Sequence, residues 1–121
     1  MIPKWILIAD DNDQIRKVVR CFLESRTGFR VCGEAVNGLD AIEKALALNP
    51  DMILLDFSMP MMDGIETASL LKIVLPEVPV ILFTALDSAA MESDAMAAGI
   101  RAIVPKTDMA RLAGHLESLL V

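Results

Sequence analysis

Four short apolar runs, each closed by a polar residue, constrain the fold of this chain more than anything else in it. Trp5-Ile6-Leu7-Ile8-Ala9 ends in Asp10-Asp11, and Met52-Ile53-Leu54-Leu55 ends in Asp56. Val80-Ile81-Leu82-Phe83 ends in Thr84, and the run from Ile100 to Pro105 ends in Lys106. Such runs alternate with segments of helical periodicity. That pattern describes parallel strands covered by helices on both faces. All the closing groups then emerge at the carboxyl edge of one sheet, where open α/β sheets bind ligands. Three carboxylates, a hydroxyl and an ammonium in one pocket suit a hard divalent cation and a phosphoryl group.

A fifth strand is expected over residues 29–36, and it is more polar, with Arg30, Gly33 and Glu34. It and the last strand, which carries Pro105, read as the edges. The order 2-1-3-4-5 satisfies this and keeps the crossovers right-handed. It sets Asp10 and Asp56 side by side at the switch point.

The helices are marked by apolar periodicity. The first has Ile15, Val18, Val19 and Phe22, with Asn12 or Asp13 as cap and Gly28 at its end. The second has Ile42, Ala45 and Leu46 and stops at Asn49-Pro50. The third follows Pro60-Met61-Met62-Asp63-Gly64, carries Ile65, Ala68, Leu71 and Leu75, and ends at Pro76. The fourth is rich in Ala and Met, is capped by Asp87 or Ser88, and closes at Gly99. The last starts at Asp108, with Met109, Leu112, Leu116 and Leu119 inward.

The chain is expected to be one domain over residues 1–121, since 121 residues suffice for a real core. With 55% apolar residues, disorder is excluded. No run reaches a membrane span, and no secretory signal is read at the start. The net charge is −6 and no basic stretch exists, so this chain alone should not bind nucleic acid. Cys21 and Cys32 read as reduced structural thiols in a cytoplasmic protein.

These motifs carry a resemblance over essentially the whole chain. Asp10-Asp11, Asp56-Phe57-Ser58-Met59-Pro60-Met61-Met62-Asp63-Gly64, Thr84-Ala85 and Lys106, each following a strand, resemble the receiver domain of two-component response regulators. The fold implied is flavodoxin-like, (βα)5. Val31-Cys32-Gly33-Glu34-Ala35 and Gly99-Ile100-Arg101-Ala102 are most similar to receivers that precede a helix-turn-helix output domain.

The resemblance implies that Asp56 is the phosphoacceptor for a phosphohistidine on a sensor kinase or phosphotransfer protein. It implies Mg²⁺, with Mn²⁺ as a substitute, on Asp11, Asp56 and the backbone carbonyl of Ser58, with Asp10 acting through water. Lys106 pairs with Asp56 and then with the phosphoryl group, which Thr84 also meets; Ala85 leaves room for it. The chain promotes only its own phosphorylation and dephosphorylation. Its implied partners include an output domain or partner protein, and a second copy on phosphorylation.

Some positions depart from the family pattern. Ile103 stands where many receivers carry an aromatic switch residue. Thr107 follows Lys106 where a proline is frequent. Ser58 and Leu86 flank the path expected for a hydrolytic water, and neither is an acid or amide able to hold it. Met59 reads as core filling, while Met61 and Met62 offer an adaptable surface. His115 reads as a residue at the border of the last helix.

Each site residue also has a plain reading. The aspartates favour helix N-termini, and Lys106 alone would be a surface lysine. Joint placement carries the inference. A haloacid-dehalogenase-like phosphatase would need an acid at Ser58. A flavin binder would find Asp10 to Asp13 repelling its phosphate. A receiver used only for protein contacts would not need the complete site.

Overall fold

The computed structural model describes residues 2–26, 28–86 and 88–120. The strands are β1 (Lys4–Ala9), β2 (Phe29–Ala35), β3 (Met52–Leu55), β4 (Val80–Thr84) and β5 (Ile100–Pro105). They form one parallel sheet in the order β2-β1-β3-β4-β5, the flavodoxin-like arrangement. The helices between them are α1 (Asp13–Glu24), α2 (Gly38–Leu48), α3 (Gly64–Val74), α4 (Glu92–Ala97) and α5 (Met109–Leu119). The polar strands are the edges, as their composition requires.

Side-chain alternation divides the central strands between two cores. Ile6, Ile8, Met52, Leu54, Ile81 and Phe83 point to the face covered by α1 and α5, where Val19, Leu23, Leu112 and Leu116 meet them. Leu7, Ile53, Leu55 and Leu82 point to the opposite face, against Ala41, Ala45, Ala68, Leu71 and Ala95 of α2, α3 and α4. Burying each large aliphatic side chain contributes about 1.5–3 kcal/mol, so β3, buried at every residue, anchors both layers.

Helix starts follow local capping chemistry. Asn12 accepts from Gln14 and Ile15 N–H, Asn37 from Asp40 N–H, and Asp108 from Arg111 N–H. Asp63 and Glu66 form a reciprocal capping box on α3. Asn49 ends α2 in the left-handed conformation, with φ of 50°.

Several expectations are corrected. Val18 and Leu46 share the helical period but are exposed; the inner rows are Val19 with Leu23, and Ala41 with Ala45. Helix α1 stops at Glu24, where the Ser25 hydroxyl donates to Phe22 O, and Gly28 lies in the connector with φ of 92°. The fourth helical segment is a 3-10 turn over Ser88–Ala90 followed by only six helical residues, with no side-chain cap at Met91. Of the expected caps, Asp87 and the Ser88 side chain lie outside what the structure describes.

Cys21 and Cys32 are free thiols. Among the described residues no peptide bond is cis, and no helix is long and apolar enough to cross a membrane.

Candidate functional site

The end of β1 builds the first wall. Asp10 is 3% exposed. Its N–H donates to Ala35 O at 3.0 Å, extending the ladder with β2. Its Oδ1 accepts from Asn12 N–H at 2.9 Å and its Oδ2 from Lys106 Nζ at 2.7 Å. Asp11, next in the chain, is exposed.

The end of β3 supplies Asp56, which is 5% exposed. Its N–H donates to Ala9 O at 2.9 Å, so the central strand pair carries it to the same height as Asp10. The loop that follows folds back at Gly64, whose N–H donates to Phe57 O at 2.8 Å. A Cβ on Gly64 would sit 2.3 Å from Asp56 O, so only glycine permits this close approach. Ser58 and Met61 are exposed on the loop, Met59 is in the core, and Met62 is half-buried.

β4 and β5 close the pocket. Thr84 is buried, and its hydroxyl accepts from Leu86 N–H at 3.2 Å. Lys106 N–H donates to Thr84 O at 3.0 Å, which fixes where the lysine leaves β5. Ala85 and Leu86 are exposed beside it, and Ile103 is half-buried against the core. His115 is half-buried and lines a cleft with Arg111 and Ile103 on the α4–β5–α5 side.

Carboxylate oxygens of Asp10, Asp11 and Asp56 all lie within 4.8 Å of one another. The resemblance implies a pairing of Lys106 with Asp56; in the structure Lys106 bridges, at 2.7 Å from Asp10 Oδ2 and 3.2 Å from Asp56 Oδ2. Burial first, then the charge of Asp10, push the Asp56 carboxyl above the ordinary carboxylate range, and Lys106 recovers part of the shift. Burial pulls the Lys106 ammonium down, but its pairing with Asp10 and Asp56 outweighs this and raises it. A fixed cation thus faces a carboxylate surplus. That set of hard oxygen donors fits a divalent cation, which would remove the surplus charge.

One buried group at the site escapes sequence reasoning. Arg16 on α1 is 8% exposed and donates to Asp10 O at 2.5 Å and to Glu34 Oε1 at 3.0 Å, and it also pairs with Asp13. The only signal for it is a cation at Asp13 plus three, on the row shared with Val19 and Leu23.

Known proteins share this fold. Residues 6–117 match the family described as response regulator receiver domain. A protein-glutamate methylesterase/protein-glutamine glutaminase of Nocardioides sp. is 39% identical over 103 residues, covering 84% of this chain and 28% of that protein. The chain spans between 25% and 32% of the curated relatives it matches. The response regulator domain of Thermotoga maritima CheB superposes with a TM-score of 0.90 at 26% identity, covering 98% of each chain. CheY in the CheX-CheY-BeF3-Mg complex from Borrelia burgdorferi gives 0.90 at 29% identity, covering 99% of this chain and 91% of that one.

Proposed function

Because the chain belongs to the response regulator receiver family, we propose that Asp56 is its phosphoacceptor and that a phosphohistidine on a sensor kinase or phosphotransfer protein is the donor. An Asp56 carboxylate oxygen attacks phosphorus, the phosphorus–nitrogen bond breaks, and imidazole leaves with that electron pair. The observation that carries this reading is the convergence of the buried Asp56 and Asp10 with Asp11 and Lys106 at the carboxyl edge of the sheet.

Phosphoryl transfer needs positioning and charge neutralisation more than proton transfer. Asp11 and Asp56, with the Ser58 backbone carbonyl and with Asp10 through water, would hold Mg²⁺ or Mn²⁺. The metal supplies neutralisation of the phosphoryl oxygens. Lys106, poised between Asp10 and Asp56, exchanges one carboxylate for a phosphoryl oxygen. The Thr84 hydroxyl, which already accepts from Leu86 N–H, donates to another. Moving Thr84 drags the Leu86 amide with it, which couples the site to the segment before α4. Ile103 leaves this domain without an aromatic reporter of that motion. The output lies in a separate domain or partner protein.

Wild type and Asp56→Asn, incubated with Mg²⁺ and acetyl phosphate, should differ in intact mass by one phosphoryl group. Equal phosphorylation of both would refute the assignment.

A further inference from the structure

Arg16 is a buried cation, and taking such a charge out of water is costly unless its partners are well placed. Here they are. Nε meets Glu34 Oε1 at 3.0 Å, NH2 meets Asp13, and NH1 meets Asp10 O at 2.5 Å. Burial lowers the tendency of the guanidinium to stay charged, and Asp13 and Glu34 more than restore it. Glu34 is itself held by Arg20 NH1 at 2.6 Å, so the clamp is anchored on β2.

The third contact matters most. Asp10 O belongs to the peptide that joins Asp10 to Asp11. The paired register of β1 ends at Ala9, opposite Ala35 and Leu55. Beyond it, Asp10 N–H still reaches Ala35 O, and its carboxylate is tied to Asn12 and Lys106. Its carbonyl is met by Arg16. A peptide unit is planar, so fixing this carbonyl fixes the Asp11 amide and places the Cα from which the Asp11 side chain departs.

We propose that Arg16 is a positioning residue for the metal pocket, acting through the Asp10 carbonyl to aim the exposed Asp11 at the site, with Asp13 and Glu34 as its anchors. The proposal rests on the reading that the three aspartates hold Mg²⁺. A lysine at position 16 could reach the carbonyl but not reproduce the fork that meets three acceptors.

The test is a calorimetric titration of Mg²⁺ into wild type, Arg16→Met, Arg16→Lys and Val19→Ala. Loss of a partner that orients a ligand typically weakens metal binding about 10-fold or more. Arg16→Met should do so, and Arg16→Lys should recover part of the affinity. Val19→Ala removes core packing from the same helix and lowers the melting temperature, yet should leave the affinity within about twofold. In metal-free protein, the Asp10 carbonyl and Asp11 amide resonances should move in Arg16→Met and stay put in Val19→Ala. If Arg16→Met does not fold, Glu34→Gln loosens the clamp more gently and should weaken Mg²⁺ in the same direction. Wild-type affinity in Arg16→Met, or in Glu34→Gln where that variant stands in, overturns the proposal. So does an equal loss in Val19→Ala. Absence of Mg²⁺ binding by wild type overturns the metal reading and this proposal with it, whereas binding by wild type with no change in the variants overturns this proposal alone.

Discussion

Replacing Asp56 by Asn should stabilise the metal-free protein at neutral pH, although it removes an ion pair. Lys106 Nζ lies 3.2 Å from Asp56 Oδ2, and at an effective dielectric constant of about 20 that attraction is about 5 kcal/mol. The Asp10 carboxylate, within 4.8 Å, opposes it by at least about 3.5 kcal/mol on the same scale. Asp11 adds a share reduced by solvent screening. Burial of the ionised Asp56 adds a desolvation penalty of order several kcal/mol. The balance leaves the ionised form disfavoured, in agreement with the raised Asp56 pKa. Asparagine keeps the volume and drops the charge, and Lys106 stays paired with Asp10 at 2.7 Å. A gain on the order of 1–3 kcal/mol follows. For a domain of this size that raises the melting temperature by at least about 3 °C.

The pH dependence has a definite sign. A carboxyl whose pKa is raised on folding contributes stability that is complete below its unfolded pKa and is lost as pH rises through its folded pKa. Asparagine does not titrate. The advantage of Asp56→Asn should therefore be small in acid, open as pH rises through the raised pKa, and level off above it. Thermal unfolding of both proteins from about pH 4 to 8, in chelator and low salt, measures it. A mutant no more stable than wild type at pH 8, or a gap that widens toward acid, refutes this electrostatic account.

Three further outcomes are expected. Gly64→Ala places a Cβ 2.3 Å from Asp56 O and 2.9 Å from Phe57 Cα; urea unfolding should show a loss of about 1–3 kcal/mol or more, and phosphorylation should fall as Asp56 shifts. The acyl phosphate should outlast that of the double variant Ser58→Asn/Leu86→Glu, because one water-positioning contact contributes about 1–3 kcal/mol, roughly tenfold or more in rate; decay followed by mass that is equal or slower in the variant would count against this. Burial pushes the Cys32 thiol up while Cys21 is exposed, so iodoacetamide at pH 8 should label Cys21 first, and peptide mapping that finds Cys32 labelled as fast would contradict it.

The sheet was legible because strands buried on both faces need unbroken apolar runs, and polar strands must lie at the edges. Met52 to Leu55 is too short for a helix and is bounded by Pro50 and Asp56, which makes it a buried strand, and Arg30 and Pro105 mark the margins. Helix faces were less legible. Val18 and Leu46 satisfy the helical period as well as their buried neighbours, and only the angle at which each helix meets the sheet decides which row turns inward. The fourth helix is Ala- and Met-rich and closes before Gly99, as its composition suggests, but the split into a 3-10 turn and six helical residues carries no signal in the sequence. At the site, the ends of the strands named the polar groups, but not how they share partners. Lys106 reaching Asp10 more closely than Asp56 depends on side-chain geometry across three strands. Arg16 and Glu34, 18 residues apart, meet only once β2 lies beside β1.

The two cores differ in texture. On the α1–α5 face, Leu, Val and Phe side chains interlock, so sliding a helix by a fraction of its pitch means lifting bulky groups out of their sockets. On the other face α2 rests on Ala41 and Ala45, α3 on Ala68 with Leu71, and α4 on Ala95 with Ala98 close by. Methyl groups present little relief, so a shift of the short α4, seated on them, has smaller groups to displace than a shift of α1 or α5. A displacement at the end of β4 should therefore be taken up in α4 more readily than in α1 or α5.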